Sequence, residues 1–500
     1  GESKIKVEGD GTGLVGVQMG SMEKLMMMGD VTFEGVTEGI NINGGGSGGS
    51  VMVSGMGTGL EGTTMTVKNS GSGVVGVVGI KVQDTEKINA TVMGLKIVGS
   101  VTGSGSKGVE FIGSGGKGGK GKLNMTSVDV SGFETGVSAS NGTLVLNGGS
   151  KITFTSGGTG LEVKDTANAT MMGGKIVGDR SGDGTGVKMG GMETLMLTSV
   201  DISEVKMGVY ATNGKLVMNG GSKITVKENG TGLSVSGGAM VTMMGNSAIT
   251  IKENGTGLEV KDTASAILMG AVIKGDGKGT GMYGVKMMGT GKVKMDGVGI
   301  LQVEKGVYVE KGTVEMMGTT IMVKSGGTGN GKGYGVGVGV SGGSAELMKV
   351  MNMGSITIKE GAGSYGVGVW GKATATLMGT EIVGSGKGTG GNGQGTGYGV
   401  YMGSEGEMMM DGVKISKVEK GVSVSKGTLK MNMGSITIKE GAGNYGVGVW
   451  GKATATLMGT KIVGSGTGYG VYGVQMTGTG KVEMNMVEIL QVGVGVYATN

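Results

Sequence analysis

The sequence predicts an all-β chain that folds as a single right-handed parallel β-helix, a β-solenoid of about 20 coils with three short strands per coil. Three observations predict this fold. Long segments return almost unchanged, apolar residues alternate with polar ones over short runs, and landmark glycines recur a little over twenty residues apart. A unit of that length cannot bury its own apolar face, so copies of it must stack and share one core.

Internal repetition is the strongest of these observations. Residues 351–386 return as residues 431–466, 80 positions later, with two substitutions. A second pair, 136–154 and 208–226, is separated by 72 residues. Near-duplicates several coils apart are typical of solenoids. A sandwich of antiparallel hairpins, the alternative all-β interpretation, does not require them.

The local pattern is that of short strands. In residues 215–244, apolar side chains occupy alternate positions, as at Leu216 and Met218 or at Ile224 and Val226. A period of two places such residues on one face of a strand. Helical spacing is not sustained, and each interior glycine would cost a helix about 1 kcal/mol. Equivalent glycines follow at steps of 22, 24, 25, 27 and 22 residues along the series Gly186, Gly208, Gly232, Gly257, Gly284 and Gly306.

The composition favours a folded chain and excludes several partner classes. Glycine accounts for 120 of 500 residues, but 37% of residues are hydrophobic and there is no proline, so disorder is not predicted. The net charge of +5 comes from interleaved lysines and carboxylates rather than from a basic patch, so nucleic acid is not an expected partner. No window approaches the roughly 20 apolar residues of a membrane helix, so no membrane insertion is expected.

Little catalytic chemistry is open to this chain. It has no cysteine and no histidine, which removes disulfides, catalytic triads and zinc sites built on those residues. Asp179, Arg180 and Asp183 crowd one turn and could hold a hard cation, but a polar loop with a local ion pair is the favoured interpretation. No catalytic, cofactor or metal site is predicted. The other aspartates follow no single-face register in the sequence; they are Asp84, Asp129, Asp165, Asp201, Asp262, Asp296 and Asp411.

Methionine and the aromatic residues raise the question of a binding surface. Most of the 42 methionines stand beside Leu and Val, so they are predicted to be core residues with a few exposed neighbours. Both tryptophans lie in identical YGVGVW segments, which contain the pairs Tyr365/Trp370 and Tyr445/Trp450. Stacking within the core or along one face is the simpler interpretation. The functional one is a partner-facing aromatic ladder, which makes these four residues the predicted partner-binding residues.

The domain prediction is one continuous β-helix over residues 1–500 that begins and ends partway through a coil. Residues 4–14 match residues 223–233, and residues 495–500 match residues 208–213, which continue internally. Neither a signal peptide nor a translocator barrel is expected in this segment. Cut coils would expose unpaired strand edges, so end-to-end self-association is expected.

Several segments resemble the passenger repeats of bacterial autotransporters, the type V secreted proteins of Gram-negative bacteria. They include residues 169–178 (ATMMGGKIVG), 208–233 (GVYATNGKLVMNGGSKITVKENGTGL) and 445–466 (YGVGVWGKATATLMGTKIVGSG). The likeness is greatest to Gly/Met-rich passengers with a pectin-lyase-like β-helix, and it covers essentially the whole chain without a catalytic motif. It implies export across two membranes, a secreted or outer-membrane surface location, and adhesion or signalling to host cells.

The predicted function is therefore a non-catalytic, secreted or surface-displayed rod that binds a host-cell surface protein or glycan and needs no cofactor. Two alternatives remain. The absence of proline and histidine and the single arginine, Arg180, also fit a designed or generated solenoid scaffold without a natural partner. A polysaccharide lyase or hydrolase of the pectin-lyase-like class would need acids from neighbouring coils aligned on one face.

Overall fold

The chain is all-β, as the sequence predicts. The computed structural model describes residues 2–8, 13–44, 49–55, 63–69, 75–83, 88–101, 104–114, 120–179, 183–277, 281–323, 335–342, 347–351, 354–359, 364–385, 397–465 and 470–500. Within these ranges there is no helix, and hence none that could cross a membrane. The chain forms two compact units, Gly1–Ala248 and Ile249–Asn500, which are described separately. The prediction of one continuous body over residues 1–500 stays a prediction.

Unit 1 consists of short strands joined by tight turns. Its strands are β1 (Ser3–Lys6), β2 (Val15–Met19), β3 (Lys24–Met27), β4 (Val31–Glu34), β5 (Glu38–Asn43), β6 (Gly49–Gly55), β7 (Thr63–Asn69), β8 (Val78–Gln83), β9 (Ile88–Met93), β10 (Leu95–Val101), β11 (Lys107–Ile112) and β12 (Lys122–Thr126). They continue with β13 (Asp129–Ser140), β14 (Thr143–Asn147), β15 (Lys151–Lys164), β16 (Asn168–Met172), β17 (Lys175–Val177), β18 (Thr185–Met189), β19 (Thr194–Thr198), β20 (Asp201–Ala211), β21 (Lys215–Asn219), β22 (Lys223–Val235) and β23 (Met240–Met243).

Unit 2 is built in the same way, and its first strand, β24 (Ala248–Ile251), begins at the last residue of unit 1. The next strands are β25 (Thr256–Val260), β26 (Ser265–Met269), β27 (Val272–Gly275), β28 (Gly281–Met287), β29 (Lys292–Asp296), β30 (Gly299–Val309), β31 (Thr313–Met317), β32 (Thr320–Val323), β33 (Val336–Val340), β34 (Leu347–Met351), β35 (Ser355–Lys359), β36 (Tyr365–Gly371) and β37 (Thr374–Met378). They are followed by β38 (Glu381–Ser385), β39 (Tyr398–Ser404), β40 (Glu407–Asp411), β41 (Lys414–Val418), β42 (Lys420–Val424), β43 (Thr428–Asn432), β44 (Ser435–Ile438), β45 (Asn444–Trp450), β46 (Thr454–Met458), β47 (Lys461–Gly464), β48 (Val471–Thr477), β49 (Lys481–Asn485), β50 (Glu488–Leu490) and β51 (Val494–Thr499).

In each unit the strands pair in parallel along three series, here called the first, second and third ladders. In unit 1 these run β1–β4–β7–β10–β13–β15–β17–β20–β22, β2–β5–β8–β11–β13–β15–β18–β20–β22 and β3–β6–β9–β12–β14–β16–β19–β21–β23. In unit 2 they run β27–β30–β32–β35–β38–β41–β44–β47–β50, β25–β28–β30–β33–β36–β39–β42–β45–β48–β51 and β26–β29–β31–β34–β37–β40–β43–β46–β49. Parallel pairing excludes the antiparallel-hairpin alternative.

The core consists of like side chains stacked across successive strands. Ile176 pairs with Ile202 and Ile202 with Ile224, and all three are fully buried. Successive strands lie about 4.8 Å apart, so aligned aliphatic side chains touch along the column. Each fully buried side chain of this kind contributes about 1.5–3 kcal/mol. The alternation seen in the sequence is therefore the division between core and surface.

The landmark glycines occupy points where a side chain has no room. A Cβ added at Gly186 would lie 2.4 Å from Cγ2 of Ile202 and 2.7 Å from the carbonyl oxygen of Gly208. One strand along, a Cβ at Gly208 would lie 2.3 Å from the carbonyl oxygen of Gly232 and 2.4 Å from Cγ2 of Ile224. The regular glycine spacing in the sequence thus follows from a close approach that repeats at successive steps of the second ladder.

A left-handed bend follows most strands of the third ladder. The residue after the strand has a positive φ, a conformation that costs most residues about 1–2 kcal/mol and glycine little. Glycine is accordingly the usual residue, but Ser127 (φ 52°), Ser199 (φ 55°), Met433 (φ 45°) and Met486 (φ 52°) occupy the position in four cases. The described members are Gly94, Ser127, Gly148, Gly173, Ser199, Gly220, Gly245, Gly270, Gly297, Gly318, Gly379, Gly412, Met433, Gly459 and Met486.

The methionines are not mostly core residues, and the prediction to that effect is wrong. Exposed methionines are at least as numerous as fully buried ones among the described residues. Strand β40 shows why: Met408 and Met410 are fully buried, whereas Met409 between them is 39% exposed. A run of adjacent methionines in a strand must send alternate side chains to opposite faces.

Candidate partner-binding face

The aromatic residues of unit 2 that the structure describes gather on one surface, the outward side of its second ladder, here called the aromatic face. Its strands β36, β39, β42 and β45 bring Tyr365, Tyr398, Lys420 and Tyr445 into consecutive register. Further along β36 and β45, buried valines alternate with the positions that carry Trp370 and Trp450. The aromatic residues of the face are Tyr283, Tyr308, Tyr365, Trp370, Tyr398, Tyr401, Tyr445, Trp450, Tyr472 and Tyr497.

The upstream cluster consists of Tyr365, Trp370, Tyr398 and Tyr401. The rings of Tyr365 and Tyr398 stack with centroids 5.2 Å apart and an interplanar angle of 18°. Trp370 meets Tyr365 edge-on at 5.7 Å and lies 6.0 Å from Tyr401. Aromatic pairs in such geometries contribute about 0.5–1.5 kcal/mol beyond burial. All four side chains are half-buried, so part of each ring remains accessible.

The Trp370 indole lies over glycines of its own sheet. A Cβ added at Gly368 would fall 2.1 Å from Cη2 of the indole, and one at Gly403 would fall 3.4 Å from its Cδ1. Gly403 pairs with Trp370 across the ladder. The ring therefore covers surface that these two glycines leave without side chains, which supplies one clear structural reason for its position.

The downstream cluster consists of Tyr445 and Trp450, whose ring centroids are 5.6 Å apart in a T-shaped arrangement. Trp450 is half-buried, and its Nε1–H donates to Oγ of Ser423 at 3.0 Å, which fixes the indole plane. Tyr445 is only 4% exposed, and this burial raises the pKa of its hydroxyl well above the usual range, so the ring stays neutral. Of the four predicted partner-binding residues, Tyr445 therefore offers a partner the least surface.

Lys420 lies between the two clusters. Its Nζ is 5.1 Å from the centroid of the Tyr398 ring and 5.8 Å from that of the Tyr445 ring. A cation over a tyrosine face gains about 0.5–1 kcal/mol when exposed and more when desolvated. Lys420 makes no ion pair with any carboxylate of the described residues. The face thus presents an uncompensated positive charge flanked by aromatic rings.

A second lysine on the same face has a different environment. Lys305 lies 4.8 Å from the Tyr283 ring and 5.1 Å from the Tyr308 ring, but its Nζ also donates to the Tyr283 hydroxyl at 3.1 Å. The neighbouring Lys286 is paired with Glu310 at 3.6 Å. This tyrosine pair has no tryptophan, which makes it an internal reference for the two clusters.

The corresponding face of unit 1 carries mainly charges, and Tyr210, which pairs with Lys188, is an aromatic residue on it. Glu162 accepts from Nζ of Lys164 at 2.8 Å and lies 3.2 Å from Nζ of Lys188. Burial acts to raise the pKa of Glu162, but the hydrogen bonds and charges of the two lysines outweigh it and hold that pKa below its ordinary value. Further along the ladder, Lys81 pairs with Glu38 at 2.7 Å.

The two described aspartates of the acidic turn singled out in the sequence, Asp179 and Asp183, each contact a lysine. Lys206 lies 3.8 Å from Asp183, and Lys227 donates to the backbone carbonyl of Asp179 at 2.5 Å. Arg180 lies outside the described residues. Over the ranges that the structure describes, no three acidic side chains converge into a group that could hold a metal ion.

Some aspartates do share a register that the sequence did not reveal. Asp129 and Asp201 lie in one column of the first ladder of unit 1, separated by Lys151 and Lys175. The column is hidden in the sequence because the steps between its members differ in length. Three strand spacings, about 14 Å, separate the two carboxylates, which is too far for them to act together. Asp84 falls outside the described residues.

Sequence reasoning found the two Tyr–Trp pairs but missed what lies between them. The register adds Tyr398, Tyr401 and Lys420. The step from Tyr365 to Tyr398 is 33 residues and that from Tyr398 to Lys420 is 22, so no fixed period brings them together. A possible signal was the shared Gly-Val that follows each of these positions.

No protein-family model matches this sequence, and neither does any curated protein. The resemblance to autotransporter passengers accordingly rests on the sequence segments themselves and stays a prediction.

Proposed function

We propose that each unit is a stretch of right-handed parallel β-helix, with about 20 coils over the whole chain and one strand of each ladder per coil. The stepwise pairing supports this: along the third ladder, each strand from β3 to β21 pairs with the next member of the series. A closed barrel would also require its first and last strands to pair, and no described pairing joins β3 to β23. Right-handed crossovers are the strong preference for parallel strands.

We further infer that the chain is a passenger-like binding rod, secreted or displayed on the outer membrane of a Gram-negative bacterium, that attaches to a host-cell surface protein or glycan. It would act without catalysis, through repeated contacts on one side. The observation that carries this proposal is the aromatic face, because accessible aromatic side chains are enriched where proteins contact partners.

The test is binding of the purified, monodisperse chain to mammalian cells. Saturable binding that unlabelled protein competes away is expected. The double variant Trp370→Ala/Trp450→Ala should reduce it at least about tenfold, since hot-spot aromatics contribute 2 kcal/mol or more. The matched control is Tyr283→Ala/Tyr308→Ala, which removes two rings from the same ladder but no tryptophan. Equal loss in both double variants would argue that the tryptophans have no special role.

A scaffold without a natural partner is the second candidate, and one observation favours it. The indoles of Trp370 and Trp450 cover glycines at positions 368, 403 and 448, so their placement has a purely structural explanation. On this alternative the folded chain binds no cell type above background, and the tryptophan variants lose stability but no binding activity.

A further inference from the structure

We propose that Lys420, Trp370 and Trp450 form a binding site for a saccharide that carries carboxylate or sulfate groups. This inference rests on the proposed binding function and names the chemical class of its ligand. It is built from three features of the aromatic face, namely two indole platforms, one uncompensated cation and the spacing that the ladder sets between them.

The indoles provide the stacking surfaces. One side of each ring lies against glycine backbone, with a Cβ at Gly448 falling 2.9 Å from Cζ2 of Trp450 and one at Gly368 falling 2.1 Å from Cη2 of Trp370. Each ring is thereby held along the sheet, and each side chain remains half-buried rather than buried. The C–H bonds on the flat side of a pyranose ring carry partial positive charge and complement the negative face of an aromatic ring.

The cation provides the charge selection. The Nζ of Lys420 lies over the Tyr398 and Tyr445 rings, and no carboxylate in the described parts of the chain pairs with it. Most other charges on the second ladders are compensated, as with Lys286 and Glu310 or Lys188 and Glu162. An anionic group of a saccharide would supply the missing counter-charge.

The ladder sets the spacing. Strand β36 carries Trp370, β42 carries Lys420 and β45 carries Trp450, so the two indoles are three strand spacings apart, about 14 Å. Lys420 lies one spacing from the strand of Trp450 and two from that of Trp370. A short saccharide can reach one indole and the lysine, whereas a longer one can engage both indoles at once.

Intrinsic fluorescence is a clean reporter, because Trp370 and Trp450 are the only tryptophans in the chain. The probes are decasaccharides derived from heparin, which is sulfated, and from hyaluronan, which carries carboxylates, with a neutral malto-oligosaccharide of equal length as control. A saturable fluorescence change is expected with at least one anionic probe and not with the neutral one. The apparent affinity should rise from the disaccharide to the decasaccharide.

Variants assign the effect to the site. Lys420→Gln should weaken binding of the anionic probe about tenfold at low salt, a loss close to that of one hydrogen bond to a charged group. Lys305→Gln removes the other lysine that covers two tyrosine rings and should leave binding unchanged. Trp370→Leu and Trp450→Leu should each retain one reporter and abolish the gain from chain length, because only one aromatic platform remains.

Four outcomes would overturn the proposal: no saturable change with either anionic probe, equal binding of the neutral saccharide, equal binding of a poly-glutamate peptide of similar charge, or an equal loss in Lys305→Gln. The peptide result would indicate an acidic protein surface as the partner. Failure here is distinguishable from failure of the proposed function. If the chain binds cells but no saccharide, it is an adhesin that recognises another ligand. If it binds the saccharide but no cells, the saccharide site stands and the proposed adhesion is wrong.

Discussion

The second ladder presents two different surfaces in the two units. In unit 1 its outward side carries ion pairs such as Glu162 with Lys164 and Lys188, whereas in unit 2 the same side carries Tyr365, Trp370 and their neighbours. The interiors differ in the opposite direction, since all four phenylalanines, Phe33, Phe111, Phe133 and Phe154, are buried in unit 1. The backbone ladder therefore tolerates either surface, because its register depends on the inward residues and the glycines.

The close glycines should be equally intolerant of change in both units, and they give the largest expected effect. Gly208→Ala in unit 1 and Gly284→Ala in unit 2 should each lower the free energy of unfolding by about 3 kcal/mol, because the new methyl group overlaps backbone and an isoleucine. Urea unfolding followed by circular dichroism measures this. Gly297→Ala is the control: a Cβ there meets nothing within 4 Å, so only the backbone strain of about 1 kcal/mol is expected. Equal losses at all three positions would contradict the close-approach explanation.

The charged face of unit 1 should make a contribution to stability that depends on pH. Glu162→Gln should cost about 2 kcal/mol near neutral pH, because the buried carboxylate accepts from two lysines. The pKa of Glu162 is lowered in the folded state, so its contribution is present above the ordinary value of 4.5 and is lost as pH falls through the folded value. The difference in unfolding free energy between the wild-type chain and Glu162→Gln should be smaller at about pH 3 than at about pH 7. A cost independent of pH would indicate lost packing instead.

The two near-identical segments of unit 2 allow a sharper comparison within one face. Asn444 donates to the carbonyl oxygens of Lys439 at 3.1 Å and Glu440 at 3.2 Å, whereas the Oγ of Ser364, the corresponding residue, is buried without a partner among the described residues. Asn444→Ser should therefore destabilise the chain by about 1–2 kcal/mol.

The reciprocal change, Ser364→Asn, is the matched test and should stabilise. Both are measured by urea unfolding followed by tryptophan fluorescence, which reports on Trp370 and Trp450 alone. Destabilisation by both substitutions would show that the two segments differ in more than this hydrogen bond.

The smallest expected effect is a gain in stability rather than a loss. Met433 occupies the left-handed bend with φ 45° and is 73% exposed, so Met433→Gly relieves backbone strain at little cost in packing. It should raise the free energy of unfolding by about 1 kcal/mol or slightly less, given the entropy that glycine adds to the unfolded chain. Met409→Gly, in the middle of a strand, is the control and should destabilise.

Structural features that depend on local alternation could be predicted from the sequence, whereas features that depend on the pairing register between strands could not. Alternation correctly predicted that Leu216 and Met218 share one face of their strand, and both are buried. The landmark glycines from Gly186 to Gly306 all lie in strands of the second ladder. The same reasoning failed for adjacent methionines. Methionine occurs on both the buried and the exposed face of a strand, so its presence does not indicate which face is buried. The partnership of Lys420 with Tyr398 and Tyr445 was not predictable, since it depends on how many loop residues lie between strands.

The near-duplicate segments also have a consequence for how such a surface can grow. Residues 351–386 and 431–466 each contain one Tyr–Trp pair, and their equivalent strands β36 and β45 lie three steps apart in the same ladder. Copying a block of whole coils leaves every strand in register, so it adds a further contact point without disturbing those already present. Valency in this architecture is thus set by the number of copied blocks, and the distance between contact points is fixed by the backbone rather than by selection on the points themselves.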